Sequence, residues 1–159
     1  MATVKDYKSG KVLTDTKLAF LLLKFVNVPV INFVIKKVLF KGTGKFHPKL
    51  INIKTASELI KNSNKCATGE RVCRILYQNS EFTESVFLDE LAEGMVNAKK
   101  AKYVTCEEAI STLKKYPENP LILSKVSGKY MEICRSSPAT CIYWSMERCG
   151  LKCLKSHFP

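Results

Sequence analysis

Cysteine placement constrains this chain more than any other feature. None of its seven cysteines occurs before Cys66, and four fall in a C-terminal block, Cys134-Arg135-Ser136-Ser137-Pro138-Ala139-Thr140-Cys141 followed by Cys149-Gly150-Leu151-Lys152-Cys153. Upstream, Cys66 and Cys73 repeat the C-x6-C spacing of Cys134 and Cys141. Thiols arranged in this way hold a metal, form disulfides or pack in a core. The odd total, in a chain whose apolar run is followed by no small-residue cleavage site, favours a reducing and hence cytoplasmic setting, where clustered thiols point to metal more than to bridges.

Charge divides the chain at the same place. Residues 1–65 carry thirteen lysines and no arginine against Asp6, Asp15 and Glu58, so ten of the twelve net positive charges lie there. At 159 residues and 46% hydrophobic composition the chain has enough apolar mass for one core without disulfides. The two asymmetries predict a basic amphipathic helical region over residues 1–41 and a cysteine-bearing globular domain over residues 42–159.

Residues 1–13 are polar and aperiodic and read as a mobile leader. Thr14 or Asp15 then caps a helix, and residues 18–40 are the most apolar part of the chain, broken at Asn27-Val28-Pro29, where Pro29 suits the first turn of a second helix. Such a run reaches about 34 Å at about 1.5 Å per residue, enough to cross a bilayer. Its midpoint would however hold Asn27 and Pro29, with Lys24 adding roughly 3 kcal/mol, which disfavours a span. Leu18, Leu21, Leu22 and Phe25 keep helical spacing, as do Ile31, Val34, Ile35, Val38 and Leu39. The pattern fits two amphipathic helices lying in a membrane interface, with Lys24, Lys36, Lys37 and Lys41 at anionic headgroups; a pair of ordinary core helices fits it about equally well.

Farther along, the glycines of Lys41-Gly42-Thr43-Gly44-Lys45 are too few and wrongly placed for a P-loop. Residues 50–53 suggest a short strand, and Thr55 with Glu58 a capping box opening a helix to Asn62. Residues 62–74 read as a loop carrying two cysteines, and residues 82–101 as the clearest helix of the chain. A second capping box, Thr105 with Glu108, opens a helix that ends near Tyr116 before Pro117 and Pro120; Cys106, in its first turn, reads as a small packed hydrophobe. Residues 121–126 form a buried strand, with residues 130–133 as its partner. The expected fold is α+β and predominantly helical: a single small domain with a short β element and an N-terminal amphipathic helical pair.

Thiolates are soft ligands, suited to zinc or an iron-sulfur cluster. Zinc modules use tight C-x2-C knuckles, which this chain lacks, so any ligands come from separate loops. Buried free thiols with a Cys149–Cys153 disulfide are the plain alternative. The order of features resembles a family of small prokaryotic 4Fe-4S ferredoxin-like proteins. The apolar-basic helical pair corresponds to residues 18–40, a Cys-Arg segment to Val72-Cys73-Arg74, and a Phe-Leu-Gly helix to Phe87-Leu88-Asp89. A Glu-Glu-Ala helix matches Glu107-Glu108-Ala109, and a cysteine-rich stretch with a terminal aromatic matches Ile133-Cys134-Arg135 through Cys141-Ile142-Tyr143-Trp144.

The resemblance implies a 4Fe-4S cluster on Cys73, Cys134 and Cys141, with Cys66 added by proximity and zinc as the alternative metal. Val86 stands where that family has a cysteine, and Ser136, Ser137 and Pro138 thin its final cysteine run. Cys149 and Cys153 are therefore reserve ligands or a disulfide. If there is one site, Cys73 and Cys134 lie close together in the fold.

The function implied is an electron-transfer or redox accessory protein at a membrane surface, its lysines docking to anionic lipid or an acidic redox partner. The alternative is a cofactor-free basic module for membrane or nucleic acid. Nucleic acid is disfavoured by the absence of arginine from residues 1–65. No catalytic constellation stands out, since only His47 and His157 offer imidazoles and neither is set beside a cysteine by a recognisable pattern.

Overall fold

Ser127 and Gly128 both hold positive φ (50° and 86°), the geometry of a two-residue hairpin turn, and they join the two longest strands, β5 (Leu121–Val126) and β6 (Lys129–Arg135). The other edge of β6 pairs with β3 (Glu84–Leu88), β3 with β2 (Cys66–Glu70), and β2 with the three-residue β4 (Ala101–Tyr103). Beyond β5 lie β1 (Lys49–Ile51) and the two-residue β7 (Lys155–Ser156). The order is β4-β2-β3-β6-β5-β1-β7, antiparallel throughout except where β1 meets β7. These elements come from a computed structural model that describes residues 2–77 and 84–156. The fold is a single-domain α+β structure, and its sheet is the central layer rather than a short accessory element.

Alternation along β6 sorts the two faces. Met131, Ile133 and Arg135 face α4 (Ile53–Lys61) and α7 (Cys106–Lys114), where the Arg135 guanidinium donates to the Leu113 carbonyl. Glu132 and Cys134 face the other side. That side is covered by α1 (Val4–Lys8), α2 (Lys11–Leu23), α3 (Asn32–Gly44), α5 (Val72–Leu76) and α8 (Ile142–Arg148). α6 (Asp89–Asn97) packs on α1 so tightly that a Cβ on Gly94 would lie 2.3 Å from Val4 Cγ1.

Several sequence expectations are corrected here. Residues 2–13 are not the mobile segment expected: Thr3 and Asp6 form a capping box for α1, and Tyr7 and Val12 are buried. α2 begins at Lys11 behind Gly10, ahead of Thr14 and Asp15. The boundary expected between residues 41 and 42 falls inside α3.

The supposed loop of residues 62–74 supplies β2 and α5, and the long helix of residues 82–101 is β3, α6 and β4, residues 82 and 83 lying outside the described part. Val86, Phe87 and Leu88 are buried in succession, as a strand covered on both faces requires and one face of a helix does not allow. α4 is capped by Asn52, whose Oδ1 accepts from the Thr55 N–H at 2.8 Å, so Thr55 is inside the helix and not its cap. The Thr105–Glu108 box and the β5–β6 pair form where the sequence places them. Among the described residues no helix is long and apolar enough to cross a membrane.

Candidate functional site

Between the sheet and the N-terminal helices lies a cavity of about 380 Å³. α2 supplies Val12, Leu18, Ala19 and Leu22 to its wall, and α3 supplies Val38 and Leu39. The inner end is formed by Arg71, Val72 and Cys73 at the start of α5, by Glu132 on β6, and by Ile142 and Tyr143 on α8. Lys11, Lys41 and Lys45 stand exposed at the rim, Lys11 paired with Asp6 at 3.6 Å. The cavity thus has an apolar wall between a polar floor and a charged mouth, where Asp6 and Asp15 stand with the lysines.

Each polar group of that floor has a local cause. Glu132 occupies an inward position of an alternating strand, where it is 4% exposed, and Tyr7 Oη donates to its Oε2 at 2.6 Å. Ser124 Oγ, from the neighbouring strand, lies 3.5 Å from Tyr143 Oη. Burial, reinforced by the Glu132 charge, holds both phenols well above their ordinary pKa, so they remain neutral hydroxyls.

Arg71 is 5% exposed, and its guanidinium makes no hydrogen bond or ion pair with any described residue. Burial works against its charge. The neighbouring Cys134, Cys73 and Cys141, wherever they ionise, and the Glu132 carboxylate outweigh that, and its pKa stands well above the ordinary value.

The expected metal ligands divide between the two faces of the sheet. Cys73, Cys134 and Cys141 share one buried cluster and all act electrostatically on Arg71, so Cys73 and Cys134 are neighbours. Cys66 pairs with Leu88, and Val86 on the same strand pairs with Ile133, so Cys66 faces the side opposite Cys134. There it lies 3.1 Å from Ser63 Oγ and beside Cys106. A one-residue difference in register parity puts the sheet between them.

Burial also pushes the Cys73 and Cys134 thiols up, against the Arg71 charge, so both are protonated at neutral pH rather than ready nucleophiles or ligands. Cys149 and Cys153 are free and half-buried, and burial together with the Glu147 charge pushes Cys153 up to about 12. Among the described residues no group of three or more His, Cys, Asp or Glu side chains is placed to hold a metal ion. The set Cys66, Cys73, Cys134 and Cys141 does not fit one iron-sulfur or zinc centre.

Of the lysines expected at headgroups, Lys24, Lys37 and Lys41 are exposed and Lys36 is half-buried. His47 follows the turn at Lys45 and Phe46 with φ 42° and does not line this cavity, and His157 lies outside the described residues. Sequence reasoning missed Arg71, Glu132, Tyr7 and Tyr143. The legible signal was Glu132, a lone acid amid the apolar alternation of Tyr130-Met131-Glu132-Ile133-Cys134; nothing local marks Arg71. Compared with protein-family models, curated proteins and solved structures, the chain matches none.

Proposed function

We propose that the protein is a cofactor-free binding module that docks on an anionic membrane surface through the end formed by α2, α3 and the turn between them. The observation that carries this reading is the apolar surface of that end. Leu18, Leu21 and Phe25 on one arm and Phe33, Val34 and Val38 on the other are exposed at helical spacing, with Val30 89% and Phe33 73% exposed near the tip. Val26, Ile35 and Leu39 on the inner side are buried, so α2 and α3 act as an amphipathic pair already seated on the body.

Charge complementarity selects the occupant. Between Thr16 and Ser57 the chain holds eight lysines and no aspartate or glutamate. Burying a side chain such as Phe33 or Val30 is worth about 1.5–3 kcal/mol, and each lysine near an anionic surface adds about 1 kcal/mol. A few of each exceed the marginal binding of a single acyl chain.

An iron-sulfur electron carrier at the same surface is the reading the family resemblance favours. Only the shared neighbourhood of Cys73, Cys134 and Cys141 supports it, and among the described residues no three donors are placed to hold a metal ion. Iron, zinc and sulfide analysis of anaerobically prepared protein separates the two; stoichiometric iron and sulfide would replace the cofactor-free reading.

Flotation with vesicles tests the docking surface. The protein should float with phosphatidylglycerol-containing vesicles, much less with pure phosphatidylcholine, and lose most binding between 0.1 and 0.5 M salt. Phe33→Asp should reduce binding at least tenfold without unfolding the protein, since the residue it replaces is exposed. Equal binding to both vesicle types, or an unaffected Phe33→Asp variant, would sink the proposal.

A further inference from the structure

The membrane-facing end leaves the cavity behind it unexplained, and the cavity has its own chemistry. We propose that it binds an amphiphilic monocarboxylate, the carboxylate seated on Arg71 and the apolar body lying between α2 and α3. The first support is Arg71 itself: a nearly fully buried cation, lining the cavity, whose planar set of N–H donors is used by no described residue. A guanidinium matches a carboxylate with two parallel hydrogen bonds. The second is shape. A cavity of about 380 Å³ whose apolar wall separates a buried polar floor from a charged mouth is within the usual range of small-molecule sites, about 300–1,000 Å³.

The charges around that floor narrow the ligand class further. Among the described lining residues Arg71 is the one cation of the floor, the lysines being exposed at the rim; buried Arg74 lies within electrostatic reach but does not line the cavity, and Glu132 stands nearby, already accepting from Tyr7. A dianion such as a phosphate monoester would meet one cation and one carboxylate, an unfavourable balance. A single negative charge suits the site. Tyr143, a neutral hydroxyl with only a long contact to Ser124, offers an additional donor. At the mouth Lys41 and Lys45 attract such an anion, Lys11 being paired with Asp6 and Asp15 standing alongside.

The test uses the full chain without vesicles, titrated by calorimetry with laurate and with 1-dodecanol, both below their aggregation limits. These share an apolar body and differ in the head. The wild-type protein should bind one laurate per chain at least tenfold tighter than dodecanol. Arg71→Met should weaken laurate at least tenfold and leave dodecanol unchanged, while Ala19→Trp, filling the wall, should weaken both. Wild-type protein that binds both equally, or neither, overturns the proposal whether or not any variant folds; so does an Arg71→Met protein with unchanged laurate affinity. Phe33→Asp, which should weaken vesicle binding at least tenfold, should keep laurate binding, so the failure of one proposal is visible apart from the other.

Discussion

At the scale of single residues, burial decides what the thiols can do. Cys73 and Cys134 have pKa values raised by desolvation above those of an unfolded chain, so below about pH 8.5 both states are protonated and the contribution of these thiols to stability is fully present. As pH rises beyond that, the unfolded chain gives up protons that the native chain keeps, and stability falls. The expected slope is up to about 1.4 kcal/mol per pH unit for each thiol. Urea midpoints measured under reducing conditions from pH 7 to 10 check this, and Cys134→Ala should flatten the decline whatever it does to the starting level. The grouping of Cys73, Cys134 and Cys141 was legible from spacing and resemblance. The exclusion of Cys66 was not, because which face a strand residue takes depends on register with a partner, a pairing that no local pattern around Cys66 encodes.

Elements were legible where a side chain closes the argument locally. Thr105 accepts from the Glu108 N–H at 3.2 Å while Glu108 accepts from the Thr105 N–H at 2.8 Å, and the start of α7 follows from those two residues alone. Thr105→Ala should therefore cost about 1 kcal/mol, read as a shift in denaturant midpoint at constant slope. Elements were illegible where two short ones abut. Leu88, Leu91 and Met95 keep a spacing that one helix would also satisfy, and the break between β3 and α6 is made by Asp89, in a left-handed conformation at φ 49° with its N–H donated to the Lys65 carbonyl. That partner comes from a distant part of the chain, and so the break is invisible in the sequence around it.

For the molecule as a whole, the N-terminal helices are part of the folded body. Tyr7, Val12, Val26, Ile35 and Leu39 are all buried against the rest of the chain, so a protein lacking residues 2–41 should lose its cooperative thermal transition rather than survive as a folded body; circular dichroism would show it. The same arrangement exposes a large apolar end, which in an all-β protein would invite fibrils. Here the described edges of the sheet are the three-residue β4, with Lys99, Lys100 and Lys102 exposed along it, and the two-residue β7. Neither is long enough or neutral enough to template a neighbour's strand. When this protein crowds upon itself, the route left open is helix against helix: loose oligomers that a mild detergent disperses, with no cross-β order to lock them.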